Sequence, residues 1–179
     1  AMSLVGHVRG GLGYVAIMAA VLMAALSGSA VADAAALSAL LLPMMVHAGH
    51  DKARSAGLLA SASIIAPIIP PSIGFVIFGV AANVSISKLF LAGIAPGIML
   101  GVALCFTWWY VARKEMVAPP KRKNAGEVME AFKSAGFALG LPIIVVVGLK
   151  FGVFTPTEAA VVAAVYALLI SLFVYRELK

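Results

Sequence analysis

The chain reads as an all-α polytopic membrane protein containing a re-entrant helical hairpin and a broken helix. Three observations predict this. Of its residues 63% are hydrophobic and 11% charged, with a mean hydropathy of +1.09, too apolar for a water-soluble domain. Two uncharged runs, 13–26 and 34–46, flank a polar centre, Ser27-Gly-Ser-Ala-Val-Ala-Asp33. Further on, Pro67, Pro70 and Pro71 interrupt another apolar run. The strict alternation of a β-barrel strand is absent.

Residues 1–12 form an interfacial lead-in carrying His7 and Arg9. Its opening Ala1-Met2-Ser3 reads like the middle of a longer helix, so the chain is expected to be a segment of something larger, and no cleavable signal peptide is visible. Residues 13–48 follow as the hairpin. Each uncharged flank holds 13 or 14 residues, a rise of about 20 Å against a hydrocarbon core of ~30 Å. Neither spans alone on that count, and one continuous helix would strand Asp33 near the bilayer centre. Two half-helices meeting at a tip over 27–33 avoid this. Non-helical backbone at that depth must be covered by protein or line a watery cavity, which makes the tip a candidate site. An ordinary helix–loop–helix with Asp33 as a water-facing N-cap is the competing reading.

After a polar turn with Asp51 as N-cap, residues 53–83 are expected to form a discontinuous helix broken over 66–72. Each proline removes an N–H and crowds the carbonyl four residues earlier, so the carbonyls of Ser63, Ala66 and Pro67 lose their helical partners. With Ser72 beside them they are hard oxygen donors suited to an alkali cation. A proline kink satisfied by neighbouring helices is the alternative. A span over 89–112 ends in Trp108-Trp109-Tyr110 with Arg113 and Lys114 beyond, the pattern of a helix leaving the bilayer through the headgroups. Residues 119–136 form a basic cytoplasmic linker and a surface helix, with Asn124 and Glu127 at N-cap and N3 spacing. Spans over 137–151 and 155–175 complete the chain, the second opening on Thr155 as N-cap, Pro156 at N1 and Glu158 at N3.

The net charge of +6 is no sign of a nucleic-acid partner, because the cations sit in short loops between apolar runs. If the hairpin enters and leaves on one side, 11 of the 13 Lys and Arg residues share that side, which the positive-inside rule makes cytoplasmic. The single cysteine, Cys105, is expected to pack inside a helix. His47 and His50 invite a metal reading, but with one nearby carboxylate they fit an interfacial turn better. An intramembrane serine protease would need a base beside Ser27 or Ser29, and His7, His47 and His50 all fall near the membrane surface. The chain is therefore not expected to be an enzyme.

These residues resemble the large membrane subunit of tripartite ATP-independent periplasmic (TRAP) transporters. The likeness rests on Ser27-Gly-Ser-Ala-Val-Ala-Asp33 with the following Ala-Ala-Ala-Leu and Leu-Pro-Met-Met, and on Ile68-Ile-Pro-Pro-Ser-Ile73. Leu91-Ala-Gly-Ile-Ala-Pro-Gly97 and Phe154-Thr-Pro-Thr-Glu-Ala159 continue it in family order. The resemblance implies one half of an inverted-repeat, elevator-type secondary transporter in a bacterial or archaeal inner membrane. It implies sodium-driven symport of a carboxylate (a C4-dicarboxylate, sialic acid or 2-oxo acid). The substrate would be delivered by a periplasmic substrate-binding protein, and a small four-helix membrane subunit would support the large one. It makes Ser27 a sodium-site residue, with Ser29 a further tip candidate, and places backbone oxygens of Ala66, Ile69 and Pro70 around the same ion. Ala24 stands where many relatives have serine, so a hydroxyl ligand is absent there. Asp33 is assigned to capping the second half-helix, whose positive end suits a substrate carboxylate near Ser27–Asp33 and Pro70–Ser72.

The family subunit is over twice as long, and this chain corresponds to about its middle, without the second hairpin. Elevator motion would carry the hairpin and broken helix against a scaffold containing 89–111 and later spans, with a brace at 127–135. A non-transporting membrane scaffold, or a fragment inactive alone, is the alternative function.

Overall fold

The computed structural model describes residues 8–114, 126, 136, 137, 140, 141, 143–145, 147, 148 and 151–175. Apart from 126 and 136, the expected linker and surface helix over 119–136, with Asn124 and Glu127, lie outside the described residues. Among the described residues the regular structure is helical, with no strand. The elements are α1 (Gly11–Ser27), α2 (Ala30–His47), α3 (Lys52–Ser63), α4 (Ile73–Ala81), α5 (Ile86–Ala112) and α6 (Pro156–Leu169), the last continued by a π-helical segment, Ile170–Tyr175. Residues 140, 141, 143–145, 147 and 148 are also helical.

The hairpin helices are longer than their uncharged runs. α1 has 17 residues and α2 has 18, rises of about 25 and 27 Å. Pro43 lies inside α2 instead of ending it. The tip accordingly shrinks from the expected 27–33 to Gly28 and Ser29. Both α2 and α5 are long and apolar enough to cross a membrane, so helix length by itself does not make the hairpin re-entrant.

α1, α2 and α3 pack side by side. Their facing residues, among them Ile17, Ala20, Leu37, Leu41, Leu59 and Ala62, form one buried cluster. Among lipid tails as apolar as leucine, such a cluster holds helices together by close van der Waals packing, which the small Ala20 and Ala62 allow. Asp51 caps α3, its Oδ1 accepting the Arg54 N–H at 2.9 Å. Thr155 and Glu158 form the expected capping box at α6: Glu158 Oε2 accepts the Thr155 N–H at 2.7 Å, and Thr155 Oγ1 accepts the Glu158 N–H at 3.3 Å. A second cluster of Phe90, Val145 and Ala159 joins α5 to the later helices.

α5 does not form a separate wall. Trp108 and Ala112 belong to the same buried cluster as the hairpin. At its other end, a β-carbon on Gly93 would overlap the Ile68 carbonyl oxygen, and one on Gly97 would lie 2.5 Å from Ile69 Cγ1. Small residues one turn apart let the break sink into α5. These notches seat Ile68 and Ile69 of the break against α5.

The three aromatics at the end of α5 do not share one face. Trp109 and Tyr110 are exposed, with the Arg113 guanidinium 3.4 Å from the Trp109 ring centroid and Lys114 Nζ 5.0 Å from that of Tyr110. Trp108 instead turns inward, is 2% exposed, and donates its indole N–H to the Gly10 carbonyl at 2.7 Å.

Candidate functional site at the hairpin tip and helix break

The tip is made by two residues with opposite tasks. Gly28 takes a left-handed conformation (φ 59°) that closes α1, its N–H donating to the Ala24 carbonyl at 3.3 Å. Ser29 is extended and opens α2, its Oγ accepting the Ala32 N–H at 3.4 Å. Ser27 Oγ accepts the Ser29 N–H at 3.2 Å, which leaves its other lone pair for a ligand. Both serines are half-buried.

Asp33 does not cap α2. It lies in the first turn, one position beyond the reach of the orphan N–H that Ser29 satisfies. The correction matters chemically, because Asp33 is 0% exposed and neither carboxylate oxygen has a hydrogen-bond partner among the described residues.

The break runs from Ile64 to Ser72, starting earlier than the expected 66–72. The Pro67 ring and the constraint on the residue before it stop α3 at Ser63. The chain then tightens into short turns: Ile65 N–H donates to Ala62 O and Ala66 N–H to Ser63 O, both at 3.1 Å. The Pro70–Pro71 peptide is cis. Ser72 caps α4, accepting the Phe75 N–H at 3.4 Å while donating its hydroxyl proton to the Pro67 carbonyl at 2.7 Å.

Of the three carbonyls expected to lose partners, two are satisfied. Ser63 O is taken by the Ala66 N–H and Pro67 O by the Ser72 hydroxyl. Ser72 spends its hydroxyl proton and one lone pair on closing the break and keeps its second lone pair. No described residue donates to the carbonyls of Ala66, Ile69 or Pro70.

Tip and break meet. A β-carbon on Gly28 would lie 2.6 Å from Pro71 O, 3.1 Å from Ser72 Cα and 3.2 Å from Ile73 N. One turn earlier on α1, Ala24 packs with Ile65 and Ala66, all three fully buried. Residues that sequence places 40 positions apart thus share one neighbourhood. The C-terminal end of α1 and the carbonyls of the break bring negative dipole ends there. The N-termini of α2 and α4 bring positive ones. Unwound backbone between oppositely directed half-helices can hold a cation on one side and an anion on the other.

His47 and His50 go to separate partners. His47 Nδ1 lies 2.8 Å from the Pro43 carbonyl, and the His50 ring tilts against Trp108 with centroids 5.6 Å apart. Among the described residues no three His, Cys, Asp or Glu side chains converge on a metal-sized site. Cys105 is half-buried and packs against the main cluster.

A protein-family model described as "Tripartite ATP-independent periplasmic transporter, DctM component" matches residues 1–179. The chain belongs to the DctM family. Among DctM relatives, it is 55% identical over 99% of its length to the 2,3-diketo-L-gulonate TRAP transporter large permease protein YiaN of Escherichia coli (strain K12). It is 41% identical over 98% of its length to the C4-dicarboxylate TRAP transporter large permease protein DctM of Pseudomonas aeruginosa. To the sialic acid TRAP transporter permease protein SiaT of Haemophilus influenzae it is 41% identical over 99% of its length. The chain spans 42%, 41% and 29% of those three proteins. DctM relatives are named as permeases of membrane transporters, and two of the described helices here suit a membrane by length and composition.

Proposed function

We propose that the chain is part of a sodium-coupled secondary transporter that imports an organic carboxylate across the inner membrane. The contact between Gly28 and the Pro71 carbonyl supports the proposal most, because it sets the tip that carries Ser27 and Ser29 against the break that carries Ala66, Ile69 and Pro70. Sodium there would offset carbonyls that no described N–H reaches. Three of the relatives' named substrates support the class, since diketogulonate, sialic acid and C4-dicarboxylates carry carboxylates, whereas the isethionate named for a fourth is a sulfonate.

A substrate carboxylate would meet the N-terminus of α4 near Pro70–Ser72 in preference to that of α2. The first turn of α4 has no acidic residue, whereas Asp33 already sits in the first turn of α2. The hairpin, the break and α5 would move as one body, since α5 is notched to receive Ile68 and Ile69. The partners proposed are a periplasmic substrate-binding protein and a small membrane subunit. In support, SiaT and the isethionate permease DctMQ of Oleidesulfovibrio alaskensis are covered to only 29% and 28%, as expected if the small subunit is fused to them.

The test is uptake by proteoliposomes holding the polypeptide as its gene encodes it, with its small subunit and binding protein. An inward sodium gradient should drive labelled carboxylate uptake, and an equal potassium gradient should not. Uptake indifferent to the cation would overturn sodium coupling. No uptake by a folded complex, with any carboxylate of the three classes, would favour the scaffold reading.

A further inference from the structure

We propose that Asp33 is the charged member of the cation site, supplying the negative charge that holds a monovalent cation between the hairpin tip and the helix break. The inference rests on the sodium reading above and adds a residue to it.

Three buried stripes lead to this position. On α2, Leu37, Leu41 and Met45 face α1 and α3, and one turn toward the tip the same stripe reaches Asp33. On α1, Ile17 and Ala20 lead one turn on to Ala24, and on α3, Leu59 and Ala62 lead to Ala66. Ala24 and Ala66 pack in one cluster. Asp33 therefore stands at the level where tip and break meet, one turn beyond the end of the apolar core.

A carboxylate so enclosed must be neutralised or paired, because desolvation penalises its charge and no described residue hydrogen-bonds to it. The positive end of α2 offsets that only in part. No described cation stands at this level: Arg9 precedes α1 at the end away from the tip. Lys52 and Arg54 open α3 at the end away from the break, Lys88 lies in the first turn of α5, and Arg113 and Lys114 stack on Trp109 and Tyr110. The neutral oxygens of Ser27, Ala66, Ile69 and Pro70 can coordinate a cation but bring no charge to balance it. Asp33 and those oxygens supply what the other lacks.

The experiment is a sodium titration of thermal stability on the native polypeptide, comparing wild type, Asp33→Asn and Asp33→Glu at constant ionic strength. Asp33→Asn should raise the sodium midpoint by roughly tenfold or more, as expected for removing a full charge from a low-dielectric site. Without sodium it should melt no lower than wild type, because the uncompensated charge is gone. Asp33→Glu should keep a sodium response with a weakened midpoint. A wild-type midpoint in Asp33→Asn would overturn the proposal while leaving the sodium site standing. No sodium response in wild type would instead sink the sodium reading itself. Should Asp33→Asn not fold, infrared difference spectra on sodium addition decide. A carboxylate band that responds to sodium in wild type and moves in Asp33→Glu supports the assignment, and its absence overturns it.

Discussion

Gly28 and Pro71 touch through backbone alone: the space a side chain would need on the glycine is filled by the proline's carbonyl oxygen. Glycine is required there twice over, by this contact and by its left-handed φ of 59°. Gly28→Ala should therefore cost roughly 1–3 kcal/mol from backbone strain alone and push the tip off the break. Gly57 in α3 has nothing within 4 Å of a β-carbon, so Gly57→Ala should be neutral or gain up to about 1 kcal/mol. Melting of the two variants checks the contrast. Equal behaviour would mean that the tip does not bear on the break.

Ser72 holds the break closed from both sides, bonding Pro67 O and the Phe75 N–H. Ser72→Ala should lose about 1–3 kcal/mol, since it removes a cap and leaves a half-buried carbonyl without a donor. Ser72→Thr retains the hydroxyl and should recover most of that loss. Hydrogen exchange of the Phe75 amide reports the same event locally and should accelerate in the alanine variant only.

Trp108 ties the end of α5 to the start of α1 through the Gly10 carbonyl. Trp108→Phe removes that donor and part of the buried ring, with an expected cost of about 1–3 kcal/mol. Because the contact lies at the far end of α1 from the tip, the sodium midpoint should stay put. A shifted midpoint would show that the two ends of the hairpin communicate.

The glycines of α5 should be unequal. A β-carbon on Gly97 meets Ile69 Cγ1 at 2.5 Å, whereas one on Gly101 meets Val21 Cγ2 at an ordinary 3.5 Å. Gly97→Ala should displace Ile69, with its candidate carbonyl, and weaken sodium binding several-fold. Gly101→Ala should leave binding unchanged. Direct sodium binding on both variants is the measurement.

Local chemistry made much of this legible in the sequence. The prolines announced the break, and Thr155, Pro156 and Glu158 announced the start of α6, because both signals act within one turn of helix. The hairpin helices extend beyond their uncharged runs, because charge-free stretches do not mark helix ends. Ser27 continues α1, and α2 starts at Ala30 with Pro43 tolerated inside it. In the sequence Asp33 reads as a cap, because a carboxylate near a helix start usually is one. Only the three-dimensional packing reveals that it is enclosed. The inward turn of Trp108 likewise depends on Gly10 and Gly13, about a hundred residues away, leaving room for an indole.

The most direct test of the ion site is the melting temperature of the native polypeptide in sodium and in potassium, for wild type and Ser27→Ala. Sodium alone should stabilise wild type, by about 2.7 kcal/mol at a hundred times its dissociation constant, and Ser27→Ala should weaken that effect. Identical melting in both salts, with Ser27 intact or replaced, would contradict a sodium site at the tip and break.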